Sequence, residues 1–487
     1  MSKYTKIVAT VSDLRCEVDF VRSLFENGMN VVRMNSAHLN EDGFNKIIGN
    51  VRQVSNKIPI LMDTKGPELR TTAIENEGRI DFVTGDVVKV IGNADVLTTK
   101  DQIAINYPDF VKDLSVGGYI LIDDGELEFR VTEKTEDYLV AVAENNGELG
   151  ARKSVNVPGV RISLPSLTEK DKRNIVHGIK CDIDFIAHSF VRSKQDILDI
   201  QEILDAHNSN IKIIAKIENQ EGVDNIDEIL EVAYGIMVAR GDLGIEIPQE
   251  KIPGIQRVLI KKCVQAKKPV IVATQMLHSM IKNPRPTRAE VTDIANAIYY
   301  RTDALMLSGE TAYGKYPVEA VATMAKIASE AEKSKLSEND IRVPISPDSI
   351  DSTAFLSKQA VKSTEKLGLK AVITDSFTGR TALNLAAYRG KAPVYALCYN
   401  EKVMRELALS YGVFPIYQEE RPTTREYFFD GLSRLIEKGL LGANDGVAYV
   451  GGSAGEGGGT TFLELNTVDK IMSVCNKYVL PNFEESK

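Results

Sequence analysis

Short apolar runs, each followed by a helix-like stretch, recur along the chain. The runs are Lys6–Thr10, Val31–Asn35, Pro59–Gly66, Asp184–Phe190, Ile211–Asn219, Gly235–Asp242, Pro269–Gln275 and Ala304–Glu310. Near-continuous apolar runs of about four to six residues indicate strands buried on both faces, as in a parallel sheet. The intervening helix-like stretches include Glu17–Asn27, Thr168–Lys180, Lys194–Ala206, Val223–Val232 and Ile255–Ala266. Eight strands alternating with helices predict an α/β protein built on a (β/α)₈ TIM barrel.

The helical period disappears between Pro67 and Ile162. Short alternating runs separated by turn residues occupy 78–92, 117–131 and 138–150, and they predict a small β-barrel of antiparallel strands. Because this segment interrupts the barrel after its third strand, it belongs at the C-terminal mouth. There it can act as a lid that excludes water from a reaction.

A third unit follows the barrel. The polar stretch Lys333–Ser352 is typical of a linker, and Ser352–Leu367 predicts a helix. The apolar runs AVITD, PVYALC and GVAYVGG, separated by helical stretches, then predict an open α/β domain. We therefore expect residues 1–66 and 163–340 to form the barrel, 67–162 the inserted lid, and 350–487 a C-terminal α/β regulatory domain.

Composition narrows the class of protein. Apolar residues are 43% and charged residues 26% of the 487-residue chain, as in ordinary globular proteins. The net charge of −9 gives no broad attraction to nucleic acid or acidic membranes, so an anionic substrate needs a local cluster of cations. No stretch approaches the ~20 apolar residues that span a bilayer, and no N-terminal signal segment is evident.

The cysteines and histidines are dispersed. Five cysteines occur singly, without a CxxC pair: Cys16, Cys181, Cys263, Cys398 and Cys475. This spacing argues against a zinc site or a disulfide framework and favours a reducing compartment. We expect a cytoplasmic protein.

Polar residues at the predicted strand ends are the candidates for chemistry, because catalytic groups of such barrels lie there. They are Arg33, Asn35, Asp63, Thr64, Lys65, Lys216, Glu218, Arg240, Asp242, Thr274, Ser308 and Glu310. Any one of them is compatible with an ordinary turn or cap, but their convergence on one rim favours a site.

Lys216 and Glu218 are two residues apart, so alternation along a strand points both side chains inward at the mouth. A simple structural ion pair is the alternative. Asp242 follows the next strand, and two carboxylates from adjacent strands suit an octahedral Mg²⁺ that keeps waters and takes further ligands from a substrate. The Gly241–Asp242 turn also offers backbone N–H groups to an anion.

A second cluster comes from the first three strands. Arg33, Lys65 and Arg70 supply positive charge suited to phosphate. Oxygen donors for a second cation are offered by Asn35, Asp63 and Thr64. Thr274 adds a hydroxyl that can relay a proton. Together these groups fit phosphoryl transfer, in which positioning and charge neutralisation supply most of the catalysis.

Longer motifs surround these residues. They are KIVAT, VVRMN, MDTKGPELRT, IIAKIENQEGVDNIDEIL, VARGDLGIEIP, ATQML, NPRPTRAEVTDIANAI and LMLSGETAYGKYPVEAV. With these motifs in this order, the chain resembles the pyruvate kinase family over essentially its whole length. The resemblance implies transfer of the phosphoryl group of phosphoenolpyruvate to ADP, giving pyruvate and ATP in the last step of glycolysis, by an allosteric homotetramer.

The resemblance also implies residue roles. Lys216 would stabilise the transferring phosphoryl group, Arg33 would contact phosphate, and Glu218 and Asp242 would hold Mg²⁺ (or Mn²⁺). The substrate carboxylate would meet the backbone of Gly241–Asp242. Thr274, with Ser308 as a further relay, would belong to the path that protonates the enolate.

Further roles implied by the resemblance concern the monovalent cation and the nucleotide. Asn35, Asp63 and Thr64 match positions that bind K⁺, while His38 and Arg70 match positions that contact ADP or ATP. The chain departs from the family's N-F-S-H, since it has Asn35-Ser36-Ala37-His38. Ala37 replaces a serine hydroxyl, which implies weakened K⁺ binding.

A candidate effector site lies in the third unit. Ser376, Thr378, Gly379, Arg380 and Thr381 follow a predicted strand and precede a predicted helix, Ala382–Tyr388. Hydroxyl and N–H groups at a helix start can cradle the phosphate of a phosphorylated effector, and the glycine-rich segment Gly451–Thr461 can close over it. A surface loop without a ligand is the alternative.

Two other functions remain open from the residues. A catalytically altered regulatory paralogue would be expected to lose Lys216, Glu218 or Asp242, and all three are present. A Mg²⁺-dependent lyase on a similar barrel would need no ADP.

Overall fold

The computed structural model describes residues 3–75, 78–162, 164–334, 343–345, 351–421, 423–452 and 459–477. The first segment contains β1 (Lys6–Thr10), α1 (Val18–Glu26), β2 (Val31–Asn35), α2 (Glu41–Val54) and β3 (Ile60–Asp63). The second contains β4 (Ile80–Phe82), β5 (Val87–Gly92), β6 (Gln102–Ile105), α3 (Phe110–Asp113), β7 (Tyr119–Ile122), β8 (Leu127–Lys134), β9 (Leu139–Ala143), β10 (Gly147–Leu149) and β11 (Val155–Asn156).

The barrel resumes after this insertion. Its elements are α4 (Glu169–Lys180), β12 (Phe185–His188), α5 (Lys194–Ala206), β13 (Lys212–Ile217), α6 (Gln220–Asp224), α7 (Ile226–Val232), β14 (Gly235–Ala239), α8 (Arg240–Glu246), α9 (Ile252–Gln265), β15 (Val270–Ala273), α10 (Arg288–Tyr299), β16 (Ala304–Leu307), α11 (Gly309–Ala312) and α12 (Pro317–Lys333). Short 3₁₀ turns lie at Gln249–Lys251 and His278–Ile281.

The last three segments contain α13 (Ser352–Leu367), β17 (Ala371–Ser376), α14 (Arg380–Ala387), β18 (Val394–Cys398), α15 (Glu401–Leu407), β19 (Val413–Tyr417), α16 (Thr424–Glu437), β20 (Gly446–Gly451), β21 (Phe462–Thr467) and α17 (Val468–Lys477). Most of the predicted linker lies outside the described residues, as do 453–458 of the glycine-rich segment.

Eight parallel strands close into a barrel in the order β1-β16-β15-β14-β13-β12-β3-β2, which confirms the predicted fold class. Residues such as Val8, Ile214 and Met237 fill the interior, while their neighbours along each strand pack outward against the helices. Both faces of every strand are therefore buried, which is why the sequence shows continuous apolar runs rather than alternation.

Several strands end earlier than the apolar runs predict. β14 ends at Ala239, so Asp242 lies in the first turn of α8 rather than in a turn before a helix. β15 ends at Ala273 because the next two residues, Thr274 and Gln275, have φ of 67° and 55°. Such values leave the β region and stop the strand.

The insertion contains a six-stranded sheet, β11-β7-β8-β9-β5-β6, and a two-stranded sheet, β10-β4, around one apolar core. The sequence predicts antiparallel strands in a small β-barrel. The structure shows a sheet with two edges, and β6, which the alternation did not reveal, pairs in parallel with β5. Only two of the four β6 residues are Ile, so its pattern is too short to distinguish from a loop.

The C-terminal unit is a five-stranded sheet in the order β19-β18-β17-β20-β21. It packs against the barrel: Leu409 joins the apolar cluster inside the barrel, and Arg389 forms a buried ion pair with Asp303. Asp184, at the start of β12, accepts hydrogen bonds from Arg405 and Arg52. Within the described ranges, no helix is long and apolar enough to cross a membrane.

Candidate active site

Lys216 occupies the centre of the barrel mouth. Its ammonium Nζ donates to Asp63 Oδ1 at 3.0 Å and to Ser189 Oγ at 2.7 Å, and it lies 3.0 Å from Glu218 Oε1. The residue is 9% exposed, and Glu218 is 1% exposed. β13 places Lys216 inward, in line with Ile214, and Glu218 follows the strand by one residue on the same side.

Electrostatics in this group favour a protonated lysine. Burial lowers the pKa of Lys216, but the carboxylates of Asp63 and Glu218 outweigh burial and raise it. Burial raises the pKa of Glu218 to about 7, with Lys216 opposing and Asp242 adding to the rise. Glu218 Oε2 accepts the Phe190 backbone N–H at 2.8 Å. The site therefore holds a fixed positive charge beside a carboxylate that is costly to ionise without a further cation.

Arg33 extends the positive charge toward β1 and β2. Its guanidinium donates twice to Asp63 Oδ2, at 2.8 and 2.5 Å, and once to Thr10 Oγ1 at 3.2 Å. Burial raises the pKa of Asp63, but Arg33 and Lys216 outweigh it and hold the pKa below its usual range. Asp63 therefore lies between two positively charged side chains at the mouth, Arg33 and Lys216.

A second part of the mouth is built around Thr274. Its Oγ1 accepts the Gly241 backbone N–H at 2.8 Å and donates to Ala273 O at 2.7 Å. Arg240 fixes this turn by donating to Thr274 O at 2.7 Å and to Asp293 at 2.6 Å. A β-branched residue at positive φ is strained, and such strain commonly marks functional sites.

Asp242 and Glu218 line one cavity of about 500 Å³ between the barrel mouth and the inserted unit. Glu68, Asn156 and Arg161 belong to its other wall. Among the described residues, no three His, Cys, Asp or Glu side chains converge on a point. The donors present fit a Mg²⁺ bound through two carboxylates, with substrate oxygens and waters completing the octahedron.

The proposed monovalent-cation residues offer oxygen atoms that already have protein partners. Thr64 Oγ1 accepts Ser189 N–H at 3.0 Å, Thr64 O accepts Ser189 Oγ–H at 2.7 Å, and Asn35 Oδ1 accepts the Ala37 N–H at 3.1 Å. All are hard donors, which suits K⁺. The Ala37 methyl contributes no oxygen, and the Ser36 hydroxyl is buried without a hydrogen bond to a described residue.

The remaining predicted residues are more scattered. Arg70 forms a two-bond ion pair with Glu68, at 2.9 and 2.7 Å, beside the cavity. His38 is exposed and does not line that cavity. Lys65 is exposed, and its backbone N–H donates to Asp171. Ser308 caps the short helix α11, where its N–H donates to Glu310 Oε2.

The candidate effector residues divide between two surroundings. Ser376 is the last residue of β17 and Arg380 the first of α14, so less of this segment is loop than predicted. Thr381 Oγ1 lies 2.8 Å from Thr460 Oγ1, beside the glycine-rich segment. Thr378 and Arg380 line a different cavity, of about 620 Å³, with Lys212, Lys267 and Lys268 of the barrel.

Two further residues hold the site together: one that the sequence did not single out, and one that it named only among the strand-end residues. Ser189 bridges Lys216 to Thr64 and follows β12, in the predicted run Asp184–Phe190. Glu310, noted only as a rim residue, is buried and accepts N–H groups of Leu277 and Ser308, and so joins two loops of the mouth. The one feature of the sequence that could have pointed to Ser189 is its position at the end of a predicted strand.

A parallel barrel whose mouth carries a buried lysine, a partly buried arginine and two cavity-facing carboxylates is the framework of an enzyme that handles an anionic group. Residues 2–321 match the family model for the pyruvate kinase barrel domain, and residues 355–465 match that for the pyruvate kinase alpha/beta domain.

Whole-chain relatives agree. The chain is 47% identical to a pyruvate kinase of Borreliella burgdorferi, covering 98% of this chain and 100% of the relative. It is 45% identical to one of Geobacillus stearothermophilus, covering 97% of this chain and 82% of the relative, and 41% identical to one of Clostridium acetobutylicum, covering 96% and 99%. The chain belongs to the pyruvate kinase family, and it is a phosphotransferase.

Proposed function

We propose that this chain transfers the phosphoryl group of phosphoenolpyruvate to ADP and releases pyruvate and ATP. The observation that carries the proposal is the buried Lys216 ammonium, which lies 3.0 Å from Glu218, a residue that lines the cavity together with Asp242. A phosphoryl group in transfer spreads negative charge over its oxygens, and a fixed, desolvated cation stabilises that charge strongly.

The chain's own residues suggest a division of labour. Lys216 Nζ and the Arg33 guanidinium would hold the phosphoryl oxygens, since hydrogen bonds to Asp63 keep both groups at the mouth. The Gly241 N–H would receive the substrate carboxylate once it exchanges its bond to Thr274 Oγ1 for one to substrate. That exchange would free a lone pair of Thr274 Oγ1 to accept a proton, with Ser308 as a further relay, while the hydroxyl turns its own proton from Ala273 O toward the enolate carbon.

Cations would complete the site. Glu218 and Asp242 would hold Mg²⁺ or Mn²⁺, which supplies charge neutralisation between the two phosphate-bearing substrates when bound. Asn35, Asp63 and Thr64 would hold K⁺, weakly because Ala37 offers no hydroxyl. The cavity under the inserted unit is large enough for a nucleotide. Arg70 lies beside this cavity and is therefore a better candidate for contacting the nucleotide than the exposed His38.

ADP dependence tests the proposal. Pyruvate release from phosphoenolpyruvate should require both ADP and Mg²⁺, and ATP should appear in equal amount. Pyruvate release without ADP would indicate a lyase or phosphatase, and no release under any condition would indicate a regulatory paralogue.

Repeating the assay in K⁺ and in Na⁺ measures the consequence of Ala37. We expect a smaller preference for K⁺ than a Ser at this position confers, so Ala37→Ser should increase that preference.

Three further features belong to the same proposal. A phosphorylated effector would bind the Thr378–Thr381 segment, and Arg380→Gln should then reduce activation without changing basal turnover. The working form would be a homotetramer in the cytoplasm, in keeping with singly scattered cysteines. Neither nucleic acid nor membrane is expected as a partner.

A further inference from the structure

Helices α2 and α4 bring a thiol, an imidazole and an amide together on the outside of the barrel. Cys181, the residue that caps α4, lies one turn after His177, and Asn45 faces them from α2. Cys181 Sγ is 3.5 Å from His177 Nε2, and Asn45 Oδ1 is 3.1 Å from Nε2 and 3.4 Å from Sγ. None of the three takes part in the catalytic site.

These separations resemble one face of a tetrahedral zinc site. Zinc binds sulfur at about 2.3 Å and nitrogen or oxygen at about 2.0–2.2 Å, so neighbouring ligand atoms are about 3.3–3.6 Å apart. The three observed distances agree with these edges to within a few tenths of an ångström. Asn45 is exposed and the other two side chains are partly exposed, so a cation can enter and a water can complete the tetrahedron.

The second ring nitrogen of His177, Nδ1, has a carboxylate nearby. Glu41, one turn before Asn45, places Oε2 4.0 Å from His177 Nδ1. A histidine that binds metal through Nε2 commonly gives its second N–H to a carboxylate, which fixes the tautomer and the ring. Glu41 is exposed, so a small shift of its side chain makes this hydrogen bond. The ring of Phe44, which lies on α2 with Glu41, packs with its centroid 5.9 Å from that of the imidazole.

We propose that Cys181, His177 and Asn45 form a binding site for Zn²⁺, although the spacing of the cysteines along the chain argues against one, because Asn45 joins the other two only through the packing of α2 on α4. Thiolate and imidazole ligands select a borderline-soft cation over Mg²⁺, so this site and the oxygen-lined catalytic site take different metals. On binding, the Cys181 thiol releases its proton to solvent and its sulfur bonds the metal. Asn45 contributes a neutral oxygen, which makes the site one of modest affinity.

Co²⁺ provides the test, because a cobalt–thiolate bond gives a charge-transfer absorption that oxygen ligands do not. The full-length protein is titrated with Co²⁺ in saturating Mg²⁺, and Zn²⁺ is then added in competition. We expect about one Co²⁺ bound with the thiolate band, and displacement by Zn²⁺. Cys181→Ser should abolish the band, Glu41→Gln should weaken binding about 10-fold, and Asn45→Asp should strengthen it by adding a charged ligand.

Matched variants separate this site from other thiols and imidazoles. Cys16→Ala and His207→Ala remove residues of the same types elsewhere on the barrel and should leave the cobalt titration unchanged. Absence of the band in the unmodified protein, or its persistence in Cys181→Ser, would overturn the proposal. Thermal unfolding of each variant reports folding, so the outcome does not depend on the proposed catalytic roles.

Discussion

At the scale of single residues, the buried lysine explains the composition of the mouth. An ammonium group removed from water is costly unless it is paired. Lys216 is paired twice, with Asp63 and with Glu218, and Ser189 accepts its remaining donor. Burial and pairing together keep a positive charge fixed where a phosphoryl group would arrive.

Replacement of this lysine gives the sharpest prediction for a residue. Lys216→Ala should lower kcat by at least about 100-fold, on the order of 3 kcal/mol, because the fixed cation is lost. Steady-state kinetics with saturating ADP measure the effect. Lys212→Ala, on the same strand but partly exposed at its start, should retain turnover. Full activity of Lys216→Ala would count against the proposed mechanism.

At the scale of elements, the neighbouring strands β14 and β15 both end early, and the residues that follow them are in contact. α8 begins directly after β14, and β15 stops at a pair of positive-φ residues, Thr274 and Gln275. The Gly241–Thr274 hydrogen bond links these two departures. The backbone strain in this half of the site lies at the two residues after β15, beside that hydrogen bond.

The central strand of the C-terminal sheet carries a partly buried acid. Burial raises the pKa of Asp375, on β17, to about 6. A folded-state pKa above the unfolded value means that the folded protein binds the proton more tightly, so stability falls as pH rises through about 6. Asp375→Asn should therefore stabilise this unit above pH 6 by about 2–3 kcal/mol and have little effect near pH 4.

Hydrogen exchange of the β17 amides across this pH range measures the effect on the full-length chain. Glu464→Gln, which removes an exposed carboxylate from β21 of the same sheet, should leave the exchange profile unchanged. A pH profile for Asp375→Asn that parallels the unmodified protein would show that Asp375 does not titrate in this range.

At the scale of the whole molecule, ion pairs join the barrel to the C-terminal unit. Arg405 of α15 donates to Asp184 at 2.6 Å and to Asp182 at 2.6 Å, and Asp184 is fully buried at the start of β12. The same carboxylate accepts the Ile60 N–H, so it also fixes the start of β3. The interface is therefore continuous with the hydrogen-bond network of the barrel.

Removing one partner of this buried ion pair should strongly destabilise the folded protein. Arg405→Met leaves the Asp184 carboxylate buried with fewer donors, and we expect a destabilisation of about 3 kcal/mol or more. Differential scanning calorimetry should show the first unfolding transition at a lower temperature. Arg79→Met breaks an exposed pair with Glu148 in the insertion and should cost less than about 1 kcal/mol. Equal effects of the two variants would contradict this account of the interface.

The sequence by itself determined the barrel, its interruption and the third unit, because burial on both faces of a strand leaves a continuous apolar run that can be recognised locally. It also determined that Lys216 and Glu218 share a face, since alternation has a fixed period of two. The tertiary structure alone decided where the strands stop, that Ser189 bridges Lys216 to Thr64, and that Cys181 and His177 meet Asn45. Those features join residues far apart in the chain, and no local period encodes a distance through space.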